Sequence, residues 1–146
     1  MVVAVLPIQT GALPWRQAGD GRLEVLLVTG RRSGRWLIPK GWPMPGRSLA
    51  EAAAQEAFEE AGVEGRIEPD PLGWFEHNKQ HVLFGSVIVR IAVHRLAVDR
   101  ELASWPEAGQ RKRCWFGLKK GAEQVHSPDL ARMIRQLKSV NDQAKP

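Results

Sequence analysis

The chain has 146 residues, 43% hydrophobic and 25% charged, with a net charge of +5 at neutral pH. This is enough for one domain, expected to span residues 1–146, to bury a core without staples. A single Cys114 excludes an internal disulfide framework. The absence of any apolar run near roughly 20 residues, and of a basic secretory start between Met1 and Pro7, sets the expectation of a cytoplasmic protein with no membrane partner.

In chain order, Val2 to Thr10 is rich in β-branched residues and predicts a first strand. Gly11 to Arg16 continues as a short extended piece, with Pro14 favouring an edge or a bend. Gln17 to Arg22 has turn composition, and the apolar run Leu23 to Thr29 predicts a strand buried on both faces. Gly30 to Arg35 is a loop, and Trp36 to Ile38 a short strand ended by Pro39. From Pro39 to Arg47, three prolines and two glycines in nine residues predict an irregular loop. Ser48 with Glu51 has capping-box spacing, so a helix should begin at Leu49, and Gly62 suits a left-handed cap at its end. Arg66 to Phe75 is an extended segment broken by Pro69 and Pro71, and Val82 to Val93 is the longest strand candidate. A loop from Asp99 to Gln110 leads to a short strand at Arg113 to Phe116. A closing helix over about 127–138 has Ser127 as cap and Pro128 first, with Leu130, Met133, Ile134 and Leu137 as its apolar stripe. The tail from Ser139 is polar and expected to fray. The pattern is α/β, with helices packed on a mixed sheet.

Between Arg47 and Arg66 the chain has no Lys or Arg, yet it carries Glu51, Glu56, Glu59, Glu60 and Glu64. Glu56, Glu59 and Glu60 stand at i, i+3 and i+4 and share one helix face. Like charges so placed repel by a few tenths of a kcal/mol per pair, and the negative end of the helix dipole adds to that. A cation from outside the helix should relieve them, and a divalent metal on oxygen ligands is the leading candidate. Projection places these glutamates with Leu49, Ala52 and Ala53, and predicts a sheet-facing arc of Ala50, Ala54, Ala57, Phe58 and Ala61. Basic residues cluster at Arg31, Arg32 and Arg35, at Lys40, at Arg111 to Arg113 and at Lys119 and Lys120. This broken distribution suits an anionic phosphorylated small molecule, gripped by metal and cations, better than a strip for duplex DNA. With no aromatic-rich platform for single strands, a nucleic-acid partner is not expected.

The run from Gly41 to Val63 resembles the Nudix box, Gly-x5-Glu-x7-Arg-Glu-U-x-Glu-Glu-x-Gly-U with U a bulky aliphatic residue. Gly41, Glu56, Glu59, Glu60, Gly62 and Val63 match in register. Arg47 stands where the pattern has its first Glu, Gln55 replaces its Arg, and Ala57 is small for its aliphatic position. The resemblance implies a Nudix-type α/β/α sandwich with a mixed sheet and a central catalytic helix. It also implies hydrolysis of a diphosphate linkage with Mg²⁺ or Mn²⁺ held by Glu56, Glu59 and Glu60, where Glu59 or Glu60 activates water. Gln55 is a candidate donor to Glu59, one turn on. The flanks Trp36 to Gly41, Phe75 to Asn78 and Gln110 to Phe116 resemble the diphosphoinositol polyphosphate and diadenosine polyphosphate phosphohydrolase branch. By that likeness Lys40, Gly41, Arg31, Arg32, Arg47, Lys79, Arg111 and Arg113 are candidates to bind substrate, and Glu76, ahead of Glu107, to complete the metal site. Trp42 is a candidate to stack on a base, whereas the other tryptophans and Cys114 are expected in the core. His77 and His81 are weighed as phosphate ligands against a structural role. The alternative to a hydrolase is a polyphosphate-sensing module on the same fold with weak catalysis.

Overall fold

The structure is a computed structural model, which describes residues 7–81, 83 and 85–138. The elements run β1 (Ile8–Gln17), β2 (Leu23–Thr29), β3 (Trp36–Leu37), β4 (Lys40–Gly41), α1 (Leu49–Ala61), β5 (Val63–Ile67), β6 (Gly73–His81), β7 (Gly85–Glu101), β8 (Arg113–Gly117), α2 (Leu118–Gln124) and α3 (Pro128–Arg135). The start expected for the first strand, Val2 to Leu6, the positions Val82 and Phe84, and the tail from Ser139 lie outside the described residues.

Eight strands form one mixed sheet among the described residues, in the path β3-β2-β1-β7-β5. β4 adds to β1, β6 to β7 and β8 to β2. Among the described residues only β1 and β7 run parallel, from Ile8 opposite Arg90 to Trp15 opposite Ala97. β2 shows why the sheet is covered on both sides. Val25 and Leu27 enter one core with Leu130 and Ile134 of α3 and Ala122 of α2, whereas Leu26 and Val28 enter another with Ala53, Ala57 and Ala61 of α1. Side chains alternate across a strand, so a fully apolar run needs a layer on each face, and the result is an α/β/α sandwich. No helix among the described residues is long and apolar enough to cross a membrane.

Several expectations are corrected. Pro14 lies within a strand flanked on both sides, not on an edge. The Ala12 N–H reaches the Pro39 carbonyl at 3.0 Å, so the Pro14 nitrogen, two residues on, faces the same side. On that side β4 pairs with Thr10 and Gly11 and β2 joins only from Trp15, so Pro14 occupies the fork where no donor is needed. The Pro-rich loop contains the two-residue strand β4. β7 runs on to Glu101, past the predicted end at Val93, because β5 pairs along its second half. α2 was not anticipated, since its seven residues are too short to show periodicity. Cys114 is exposed, because β8 is an edge strand on β2.

Candidate functional site

α1 begins and ends where its caps require. Ser48 Oγ accepts from the Glu51 N–H at 3.0 Å, and Glu51 Oε1 accepts from the Ser48 N–H at 2.8 Å. Gly62 closes the helix at φ 66°, and its N–H reaches the Phe58 carbonyl. Thr10 Oγ1 donates to the Leu49 carbonyl at 2.6 Å and ties the first turn to β1. The buried face is Ala50, Ala52, Ala53, Ala57, Glu60 and Ala61. Ala54 and Phe58, expected against the sheet, instead line an open hollow of about 380 Å³ with Gln55, Glu64 and Leu96. Ala57 is fully buried among Ala12, Leu26, Val28 and Leu96, so a small residue there lets the helix approach the sheet closely.

The last four carbonyls of a helix have no partner within it. Here the segment from Leu102 to Arg113, the loop and the first residue of β8, supplies all four. The Glu107 N–H donates to Glu59 O at 3.0 Å, Trp105 Nε1 to Glu60 O at 3.1 Å, Arg113 to Ala61 O at 2.9 Å, and the Leu102 N–H to Gly62 O at 2.8 Å. The Arg113 guanidinium also stacks 3.8 Å over Trp105 and donates to Leu102 O at 2.6 Å. It places a cation on the negative end of the dipole that the helix itself does not balance. Arg113, a candidate phosphate ligand by sequence, is therefore committed to the helix terminus.

The same loop brings Glu107 and Arg111 to the acidic face. Arg111 Nε donates to Glu107 at 2.9 Å, one terminal nitrogen donates to Thr29 O at 3.1 Å, and the other lies 3.8 Å from Glu60. Relief for the glutamates thus comes in part from the protein's own arginine. It is incomplete. Glu60 is 4% exposed, and burial, with a hydrogen bond to Glu56, pushes its carboxyl up to about 9 against the pull of Arg111. Burial also raises Glu56. Both effects favour a shared proton over two charges on this pair. Glu59 is held differently: Gln55 Nε2 donates to it at 3.1 Å, and Arg47 donates to Gln55 Oε1 at 3.2 Å. Gly41 faces this cluster so closely that a Cβ there would lie 2.3 Å from Glu56 Oε1, and the Lys40 N–H lies 3.4 Å from Glu60 Oε1.

Lys40 turns its ammonium toward Gln9 Oε1 at 3.5 Å, and burial followed by the nearby Lys79 lowers its pKa. His77 stands near Lys40, Lys79 and His126; burial first, and then the charges of these neighbours, hold it down at about 4. Lys79 lies 4.9 Å from the Trp42 ring centre. Lys40, Gly41 and Arg111 are thus gathered at the glutamates, and Lys79 lies near Lys40 and Trp42. Arg31 is exposed and reaches only Gln110, at 3.3 Å, while Arg32 is exposed in the turn after β2. Glu76 is not brought in. It is exposed opposite Arg90 on β6, which β7 separates from β1, the strand to which Thr10 ties α1. Glu107, paired with Arg111, is the further carboxylate brought near Glu56 and Glu60. Gln9, Trp105 and His126 were missed by sequence; the signal available for Trp105 was a helix end without basic residues, which some distant donor had to cap.

Among the described residues, no three Asp, Glu, His or Cys side chains already converge as a ligand set. The donors nevertheless fit a hard divalent cation. Glu56, Glu59 and Glu60 offer carboxylate oxygens from one helix face, and burial raises Glu56 and Glu60, as two carboxyls brought together without a cation require.

Comparison with known proteins agrees with this architecture. The NUDIX domain matches residues 7–137. Nudix hydrolase 21 of Arabidopsis thaliana, chloroplastic, is 34% identical over 116 residues, covering 77% of this chain and 57% of that protein. The diphosphoinositol polyphosphate phosphohydrolase 3-beta of Bos taurus is 36% identical over 120 residues, covering 79% and 69%. The chain spans 47–64% of the length of three plant relatives. Among solved structures, the E. coli dihydroneopterin triphosphate pyrophosphohydrolase superposes with a TM-score of 0.70 at 17% identity, covering 90% of this chain and 94% of that one. The C. elegans Ap4A hydrolase gives 0.62 at 19%, covering 90% and 95%, and at such identity both show the fold alone. The chain belongs to the Nudix hydrolase family.

Proposed function

We propose that this chain hydrolyses a diphosphate linkage in a polyphosphorylated small molecule, with Mg²⁺ or Mn²⁺ held by Glu56, Glu59 and Glu60. The observation that carries this reading is the placement of Glu56, Glu59 and Glu60 on one face of α1, with Glu60 buried 3.8 Å from Arg111 and burial raising the carboxyls of both Glu56 and Glu60. Such a pair gains by exchanging its proton for a divalent ion. When bound, the ion neutralises phosphate charge and makes water a stronger acid. The protein's part is to place the reactants. Glu59, fixed by Gln55, is the group suited to accept a proton from the attacking water, because it is the glutamate not tied up in the shared pair. Attack on phosphorus forms one P–O bond and breaks the anhydride P–O bond, and the departing phosphate leaves as an anion. Lys40, near Glu60, and Lys79, near Lys40, are the cations suited to stabilise that charge. The relative named for diphosphoinositol polyphosphate hydrolysis supports a substrate with several phosphates.

A substrate panel with Mg²⁺ and Mn²⁺ tests this: diadenosine polyphosphates, nucleoside triphosphates, nucleotide sugars and diphosphoinositol compounds. At least one class should turn over, and Glu59→Gln and Glu60→Gln should each lower turnover at least about tenfold, or 1.4 kcal/mol of barrier. Wild-type rates in both variants would contradict the assignment. Failure on every class, with metal binding intact, would favour a sensing module.

A further inference from the structure

Of the six tryptophans, Trp42 alone is exposed, at 48%. The other five are engaged. Trp15 is in the core, Trp36 meets Phe116 edge-on at 5.2 Å, Trp74 lies under Arg90, and Trp105 and Trp115 donate to Glu60 O and Glu101. An indole left in water forgoes the burial that normally explains this residue. Trp42 is nevertheless closely positioned. It follows Gly41, whose Cα abuts the Glu56 carboxylate, and precedes Pro43, in a loop that also holds Pro39 and Pro45. Prolines restrict that backbone, so little freedom remains to be lost when the ring is covered.

The contacts then continue in order. Lys79 lies against the indole, it acts electrostatically on Lys40 and His77, and Lys40 adjoins Glu60. An aromatic face, two ammonium groups and a carboxylate cluster succeed one another. A nucleoside polyphosphate presents the complementary series: a base, a run of phosphates, and the linkage to be cut. A polyol phosphate has no π-face and gains nothing from the indole.

We propose that Trp42 is the stacking platform for the base of a nucleoside polyphosphate, with Lys79 shifting from the ring to the phosphate chain. This rests on the reading that phosphates bind before the glutamates, and it selects nucleoside over polyol substrates for that site. Binding of two matched non-hydrolysable ligands tests it: adenosine 5′-(β,γ-methylene)triphosphate and the same triphosphate on ribose alone, titrated with Mg²⁺ into the full chain. Wild type should bind the adenosine ligand about tenfold or more tightly, the scale of one base–aromatic stack. Trp42→Ala should erase most of that preference while binding the ribose ligand as before, and Trp42→Phe should keep it. No preference in wild type, or a preference that survives Trp42→Ala, overturns the proposal. Equal weakening of both ligands in Trp42→Ala also overturns it, by reducing Trp42 to a support for its loop. A Trp42-dependent preference in a protein that hydrolyses nothing would uphold this subsite and refute the catalytic reading instead.

Discussion

Two departures from the Nudix pattern, seen as separate oddities in sequence, are one device at the level of atoms. Arg47 supplies the cation that the pattern has at position 55, and Gln55 passes the interaction on to Glu59. The polarity is reversed and the glutamate is still held. Restoring the pattern's own pair tests the account. Arg47→Glu and Gln55→Arg should each lower kcat several-fold, and the double variant should recover most of the loss, because the two positions form one network. Strictly additive losses in the cycle would show that the residues act apart. The family resemblance exposed the identity of both residues, and the reach from Gln55 to Glu59 follows from helical spacing. The reach of Arg47 back to Gln55 was not legible, because it depends on how an irregular loop folds over the first turns of α1.

At the scale of elements, α1 owes its position to both of its ends. Its start was legible in detail, since a capping box is local chemistry with fixed spacing. Its other end was half legible: Gly62 announced the stop, but the donors for four carbonyls lie 40 or more residues away in sequence. That distance also explains the error over Glu76 and Glu107. β6 lies beyond β7 from β1, which leaves Glu76 exposed away from the cluster, and the loop before β8 carries Glu107 to it. The sheet-facing arc was misjudged at Phe58 for a related reason. Tight approach through alanines leaves no room for a large ring beneath the helix, so Phe58 sits at its margin. Trp105→Phe keeps the stacking ring and deletes one N–H donor to the part-buried Glu60 carbonyl. A loss of about 1–2 kcal/mol is expected, as a lower urea midpoint with unchanged slope. An unchanged midpoint would mean that water satisfies that carbonyl and the cap is dispensable.

Across the whole molecule, the sandwich gathers like charges at one place and leaves a trace in pH dependence. His77 is held down at about 4 by burial and by Lys40, Lys79 and His126, against an ordinary value near 6.5. Between these values the unfolded chain binds a proton that the folded protein refuses. Stability from this group is therefore intact above about 6.5 and is lost as pH falls toward 4. His77→Gln, which cannot titrate, should flatten that limb in urea unfolding at pH 7 and pH 5; an equal decline in both proteins would place the source elsewhere. Glu60 works in the opposite sense. Its raised carboxyl makes the metal-free fold lose stability as pH climbs from its ordinary 4.5 toward about 9, until an ion replaces the proton.

That exchange is the centre of the account, and calorimetry measures it directly. Mn²⁺ titrated at pH 7 in two buffers of different ionisation enthalpy should bind and release about one proton per ion, so that the observed heat shifts with the buffer. Glu60→Gln should abolish the shift. Absence of Mn²⁺ and Mg²⁺ binding, even with a polyphosphate present, would contradict it.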